Sequence, residues 1–485
     1  MLNGSLFKST LKFTLPLVAT YLLSQLFSVT DMIVVGQFAK EGTKCVAAIS
    51  ATGSLVGLIV NFFLGVSAGA GIVVAQFYGA KDNKNLSKAV HTAIPTSFVA
   101  GVILTAVGLI FAEDMLKLMN TPKSIRPLSV IYLKIYFAGI ILRMIYTFAA
   151  AILRAVGDSK TPLLFLSLGG IMNVGFNLLF VLAFDMGVDG VAYGTIISEG
   201  ISGILCLIAL MRRKDAVRFT LKNTFSGFDF KILKRVMVIG VPAGVQSCLF
   251  SIANVLLQSS VNGFGDIVVA GNGAAGSLGT FTYLCSNATS TTASNFIGQN
   301  YGAKKYDRIK KLPSICLIWM AIGTFAIAFI TRTFARPLLG LYLKTGDPYA
   351  MDIGILRLHI VTMTYVLCGI MDIYSGLLRG IGKSVSAMWI SLICICGFRV
   401  GFILTIFKLD YFHKIEWLYS IYPVSWLICI AIDMFYYWHV LKKKTEEDAF
   451  RRSQASGSEK IYLKEMAEKG ALKKAFAKQE KEAEG

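Results

Sequence analysis

The sequence predicts an all-α integral membrane protein of twelve transmembrane helices in two pseudo-symmetric six-helix lobes. Three observations carry this expectation. Of 485 residues, 55% are apolar and only 16% charged, whereas a soluble chain holds roughly a quarter of charged residues. Twelve stretches approach the roughly twenty residues needed to cross about 30 Å of hydrocarbon. Landmarks of the first half also return in the second at a nearly constant offset.

In chain order the apolar segments are 13–37, 46–77, 89–112, 130–153, 162–184, 188–211, 233–261, 267–300, 313–334, 352–378, 385–407 and 417–441. The first is too long for a signal-peptide core and is expected to stay in the mature chain. The second and eighth are long and rich in Gly, Ser, Ala and Asn, as suits cavity walls, bent helices or close helix contacts. Gln76-Phe-Tyr-Gly-Ala-Lys81 after the second segment returns as Gln299-Asn-Tyr-Gly-Ala-Lys304 after the eighth. Leu153-Arg-Ala-Val-Gly-Asp-Ser159 after the fourth returns as Leu378-Arg-Gly-Ile-Gly-Lys-Ser384 after the tenth, and Pro16 returns as Pro242. The offsets are 223, 225 and 226. An even number of crossings per half brings both halves in from the same side, related by an axis along the membrane normal. The expected divisions are an N-lobe, 1–211; a linker, 212–232; a C-lobe, 233–441; and a charged tail, 442–485, within which Ile461 to Gln479 could form a helix.

The formal net charge of +20 would elsewhere suggest nucleic acid. Here the basic residues fall in short runs between apolar segments. With the N-terminus inside, the inner loops and leading residues carry twenty-two Lys and Arg and the outer loops ten. Both termini are therefore expected in the cytoplasm of a plasma-membrane protein, with the bilayer as partner and no nucleic acid.

Phosphate-loop, zinc and thiol-redox motifs are absent. Arg379-Gly-Ile-Gly-Lys-Ser384 fails the phosphate-loop pattern, because the position five before Gly382 is Leu377. That stretch and Arg154-Ala-Val-Gly-Asp-Ser159 read as helix-to-helix turns with a glycine cap. The four histidines form no His-Glu-x-x-His pair and the nine cysteines no Cys-x-x-Cys. Neither an enzyme nor a metal or organic cofactor is expected.

Ionisable groups at membrane depth are costly and usually face a cavity or a partner. The candidates are Asp31 in the first segment, Glu199 in the sixth and Asp372 in the tenth, with Arg143, Arg357 and Arg399 as buried cations. At 1.5 Å per residue Asp31 lies roughly 28 Å above Lys12, and Asn173 and Asn177 roughly 19–26 Å above Lys160. The two amides are four apart, on one helix face. Descending from Val188, Glu199 enters the same slab. These groups could wire a proton site or an oxygen-lined cation site. Glu199 could share a proton with Asp31, face a cationic substrate, or serve as a structural partner for Arg143.

These features resemble the multidrug and toxic-compound extrusion (MATE) family over about residues 10–440. The likeness rests on the two lobes, the repeated turns, and Pro16 followed fifteen residues later by Asp31 in Val29-Thr-Asp31-Met-Ile-Val-Val-Gly36. The resemblance implies secondary efflux of organic cations or amphiphilic drugs by a monomer, driven by H⁺ or, alternatively, Na⁺. Asn173 and Asn177 fit the family's helix-five motif. A helix-seven Glu of one branch is replaced by Phe250, with Asn254 one turn on; that branch's helix-ten acid falls at Cys368, one turn before Asp372. The alternatives are a lipid-linked saccharide flippase of the wider superfamily, whose cavities commonly carry arginines, and a major facilitator transporter, whose loop signature Gly79-Ala-Lys-Asp-Asn-Lys-Asn-Leu86 lacks.

Overall fold

The computed structural model describes residues 1–119, 121–224, 226–343 and 348–455, and these are helical with no strand. Residues Met1–Asp433 make one compact unit and Met434–Gly485 a second. Residues 434–455 of the second unit are helical; the helix expected over Ile461 to Gln479 lies outside the described residues.

The first half contains α1 (Leu6–Phe38), α2 (Gly42–Gly79), α3 (Asn83–Leu118), α4 (Arg126–Ala155), α5 (Lys160–Ala183) and α6 (Val188–Arg212). The second contains α7 (Phe230–Asn262), α8 (Asp266–Gly302), α9 (Tyr306–Thr333), a short helix Ala335–Gly340, α10 (Pro348–Gly380), α11 (Ser384–Lys408) and α12 (Ile415–Ala455). Wider π turns, with i→i+5 hydrogen bonds, end α5 at Leu179–Ala183 and interrupt α10 at Leu358–Thr362 and α11 at Leu392–Gly397. Such π turns often lie beside functional sites.

Eleven of the described helical spans are long and apolar enough to cross a membrane. The exception is α8, which has the length but too much Gly, Ser, Thr and Asn. Its position explains the composition: α8 packs against α9 and α10 of its own half and against α1 and α2 of the other, so little of it needs to face lipid.

The halves meet mainly through α2 on α7, α2 on α8 and α1 on α8. The sequence reason for the first is a pair of Gly-x-x-x-Gly stripes. A Cβ added to Gly65 would come within 2.2 Å of the Gly244 nitrogen, and one on Gly69 within 2.5 Å of the Gly240 Cα. Small residues four apart let backbones touch in this way. At the matching place where α1 crosses α8, Thr14 and Thr292 share a 2.8 Å hydroxyl hydrogen bond.

The repeated motifs close one end of this interface. The Gln76 amide donates to the Gly380 carbonyl at 2.8 Å, and the Gln299 amide donates to the Ala155 carbonyl at 2.6 Å. Each half thus caps the last turn of the other half's α4 or α10. Gly79 and Gly302 lie equally close to the partner helix, since a Cβ on either would meet a backbone oxygen at 2.0 Å. The turns that follow α4 and α10 use Gly157 at φ +98° and Gly382 at +86°, where the left-handed backbone ends the helix. Lys81 and Lys304 do the same after α2 and α8, at φ 56° and 55°.

The linker is folded onto α3. Val217 and Phe219 are buried, His91 accepts from the Thr220 amide at 3.2 Å, and Lys88 Nζ reaches Asp229 at 2.8 Å. That hydrogen bond from Lys88 holds the Asp229 carboxyl below the ordinary carboxylate range.

Candidate functional site

A closed polar ring sits inside the first half. Asp31 of α1, Asn173 and Asn177 of α5, and Thr195 of α6 are its members. The Asn177 amide donates to Asp31 Oδ1 at 2.6 Å and to Asn173 Oδ1 at 3.4 Å. The Asn173 amide reaches Thr195 Oγ1 at 3.4 Å, and the Thr195 hydroxyl reaches Asp31 Oδ2 at 3.4 Å. Asn173 and Asn177 are 3% and 0% exposed, so these amides have no solvent to turn to. Their placement depends on Gly194, where a Cβ would stand 2.1 Å from Asn177 Oδ1. That same oxygen is buried with no hydrogen-bond donor, which leaves an acceptor open beside the carboxylate.

Glu199 lies one helical turn beyond Thr195 and pairs with Arg143 of α4. The Arg143 guanidinium also lies 5.8 Å from the centre of the Tyr136 ring. Of the three arrangements the sequence left open for Glu199, its side-chain contact is the ion pair; it makes no hydrogen bond to Asp31. Thr195, which closes the ring, carries no sequence signal, since a threonine in an apolar segment does not stand out by composition.

The other two sequence candidates lie elsewhere. A cavity of about 470 Å³ opens between the halves, with walls from α1, α2, α4, α7, α8, α10, α11 and α12. Asp372 and Asn254 line it, whereas Asp31, Asn173, Asn177 and Glu199 do not. Asp372 is buried beside Tyr283 and Arg379, and its Oδ2 has no hydrogen bond. Asn254 Oδ1 accepts from Arg399 at 3.2 Å. The charged residues lining the cavity are Arg154, Arg379, Arg399 and Asp372. Phe250, Tyr365, Tyr422 and Trp426 supply aromatic surface.

Behind the cavity wall runs a polar network that sequence reasoning passed over. Arg379 donates to Gln246 Oε1 at 2.9 Å, and the Gln246 amide donates to Ser391 Oγ at 2.7 Å. Ser375 Oγ donates at 3.1 Å to Asp433, a fully buried acid of α12. Asp433 carries the signal that singled out Asp372, an acid within an apolar segment, and could have been found by it.

The MatE family model matches this chain twice, at residues 16–179 and 242–405. The two matches begin at Pro16 and Pro242, the landmarks of the internal repeat. The chain is 29% identical over 450 residues to the probable multidrug resistance protein YoeA of Bacillus subtilis (strain 168), covering 91% of this chain and 95% of that protein. It superposes with a TM-score of 0.83 on a multidrug resistance MATE family transporter of the MOP superfamily in an outward-facing conformation, at 19% identity over 91% of this chain and 97% of that one. A MOP superfamily transporter from Pyrococcus furiosus, described as having a binding pocket of reverse polarity that suggests a different function, superposes at 0.84 with 19% identity, again over 91% and 97%.

Proposed function

Since the chain belongs to the MatE family of membrane transporters, we propose that it is a secondary active exporter of small molecules. Its cargo is an organic cation or an amphiphile, moved by alternating access in exchange for an inward coupling ion. That ion is H⁺, with Na⁺ as the alternative. The similarity to a multidrug resistance protein supports export of drug-like molecules. The halves 1–211 and 233–441 act as the moving lobes, joined by 212–232. The Lys and Arg bias supports an orientation in the plasma membrane with both termini in the cytoplasm. The working unit in this reading is a monomer.

The observation that carries the coupling assignment is the ring around Asp31. It holds one carboxylate, satisfied by amide and hydroxyl donors, next to an unfilled acceptor on Asn177. A proton on Asp31 turns one carboxylate oxygen from acceptor to donor and gives the Asn177 carbonyl a partner. The ring therefore has two hydrogen-bonding patterns, one for each charge state. Glu199, one turn beyond the ring threonine, is paired with Arg143. Coupling follows if the two patterns favour different arrangements of α1 against α5 and α6.

In proteoliposomes with an imposed pH gradient, Asp31→Asn is expected to abolish gradient-driven export at unchanged protein yield. Undiminished export by that variant overturns the assignment. Export that follows a Na⁺ gradient and ignores the pH gradient replaces the proton with Na⁺.

A further inference from the structure

Arg399 is 3% exposed, yet it lines the central cavity. It sits in α11 just beyond the π turn Leu392–Gly397, whose wider winding rotates the following residues relative to a regular helix. Nε donates to Ser425 Oγ at 3.0 Å and Nη1 to Asn254 Oδ1 at 3.2 Å. The guanidinium lies 4.6 Å from the centre of the Tyr422 ring and 6.0 Å from that of Trp426. Every one of these partners is neutral. Among the described residues no carboxylate comes within ion-pairing distance of Arg399, in contrast to Arg143, which has Glu199. A guanidinium has five N–H donors, so the two bonds to protein leave most of its capacity open.

The rest of the cavity does not correct the imbalance. Asp372 is the one acid among the lining residues, and its electrostatic partner is Arg379. Arg154 adds a further positive charge to the lining. A cation entering this space meets three guanidiniums and one carboxylate. An anion meets a desolvated arginine held rigid by two hydrogen bonds and two rings, the kind of group that binds carboxylate or sulfonate oxygens in a fixed geometry.

We propose that the cargo of this cavity is a small amphiphile with an anionic headgroup, a carboxylate or sulfonate seated on Arg399. Its apolar or aromatic body lies against Tyr365, Tyr422, Trp426 and Phe250. The proposal rests on the export reading above and narrows its cargo from two classes to one. A volume of about 470 Å³ suits a drug-sized molecule and is small for a lipid with two acyl chains.

The test uses two probes with one body and opposite charge, naphthalenesulfonate and naphthyltrimethylammonium. Binding to the purified full chain in neutral maltoside micelles is read by equilibrium dialysis against empty micelles. The sulfonate is expected to bind about tenfold or more tightly than the ammonium probe. Arg399→Gln is expected to erase that preference. Should Arg399→Gln fail to fold, Asn254→Asp keeps the arginine and gives it an internal carboxylate, with the same expected loss. Equal or tighter binding of the ammonium probe overturns the proposal, as does a preference that survives in the folded variants. Displacement of the sulfonate by phosphatidylglycerol at comparable affinity assigns the site to a lipid headgroup and overturns the small-molecule cargo. Transport separates this proposal from the export reading. Asp31-dependent export of the ammonium probe, without sulfonate preference, keeps export and ends the anion site; sulfonate preference without gradient-driven export of either probe does the reverse.

Discussion

Glu199 shows how a single buried charge takes its meaning from the neighbour it finds. It is within one helical turn of the ring threonine, but its ion pair is with Arg143. Removing one member of such a pair leaves the other unpaired in a poor solvent, which costs more than losing both. Glu199→Gln and Arg143→Gln should each lower the thermal midpoint of the detergent-solubilised protein, and the double variant should recover part of the loss. The coupling energy from that cycle is expected at about 0.5–3 kcal/mol, the range for contacting residues. Export by Glu199→Gln should keep its pH profile, whereas loss of Asp31 should remove it; a shifted profile in Glu199→Gln would place this acid in the coupling step. The sequence made Asp31, Asn173 and Asn177 readable as one set, because helix rise and a four-residue spacing fix height and face. It left Glu199 open because rotation about the helix axis decides between Asp31 and Arg143, and that rotation is set by packing against α4.

At the scale of elements, the small-residue content of α2 and α8 was legible in the sequence while its use was not. Composition suggested cavity walls, and both helices do line the cavity. The stronger demand on α2 comes from α7, where Gly65 and Gly69 meet Gly244 and Gly240 with backbones touching. A side chain there has no open direction, so Gly65→Leu or Gly240→Leu is expected to abolish folded, monodisperse protein in size-exclusion chromatography. Gly53 and Gly57, on the same helix, have open space where a methyl group would go and should accept alanine without such loss. Gly79→Ala and Gly302→Ala each place a methyl group 2.0 Å from a backbone carbonyl oxygen of the facing helix. They are expected to loosen the closed end and raise the labelling rate of cysteines placed at residues 76 and 299. An unchanged rate would mean that this end closes by other contacts. The polar character of α8 also follows from position, since a helix packed on four others exchanges lipid contact for hydroxyl and amide hydrogen bonds.

For the whole molecule, the repeat visible in the sequence organises the assembled halves. The proposed orientation predicts that a single cysteine at Asn223, in a background without the native cysteines, reacts with impermeant maleimide only after the membrane is opened; labelling in intact cells would invert the topology. The cross-half glutamine contacts carry a consequence for how such a molecule arises. Gln76 reaches the last residue of α10 and Gln299 reaches the last residue of α4, so each half offers the donor and the acceptor that the other needs. Contacts of this form, in which i meets j and j meets i, belong to two-fold homodimers. Two identical copies of one half could satisfy them equally well, each glutamine capping its twin's helix. The single chain thus carries a self-complementary pair of contacts within one polypeptide. One polypeptide, unlike a homodimer, lets the two sites differ: glycine faces glycine at one crossing where threonine faces threonine at the other, and the acid of the ring belongs to one half alone.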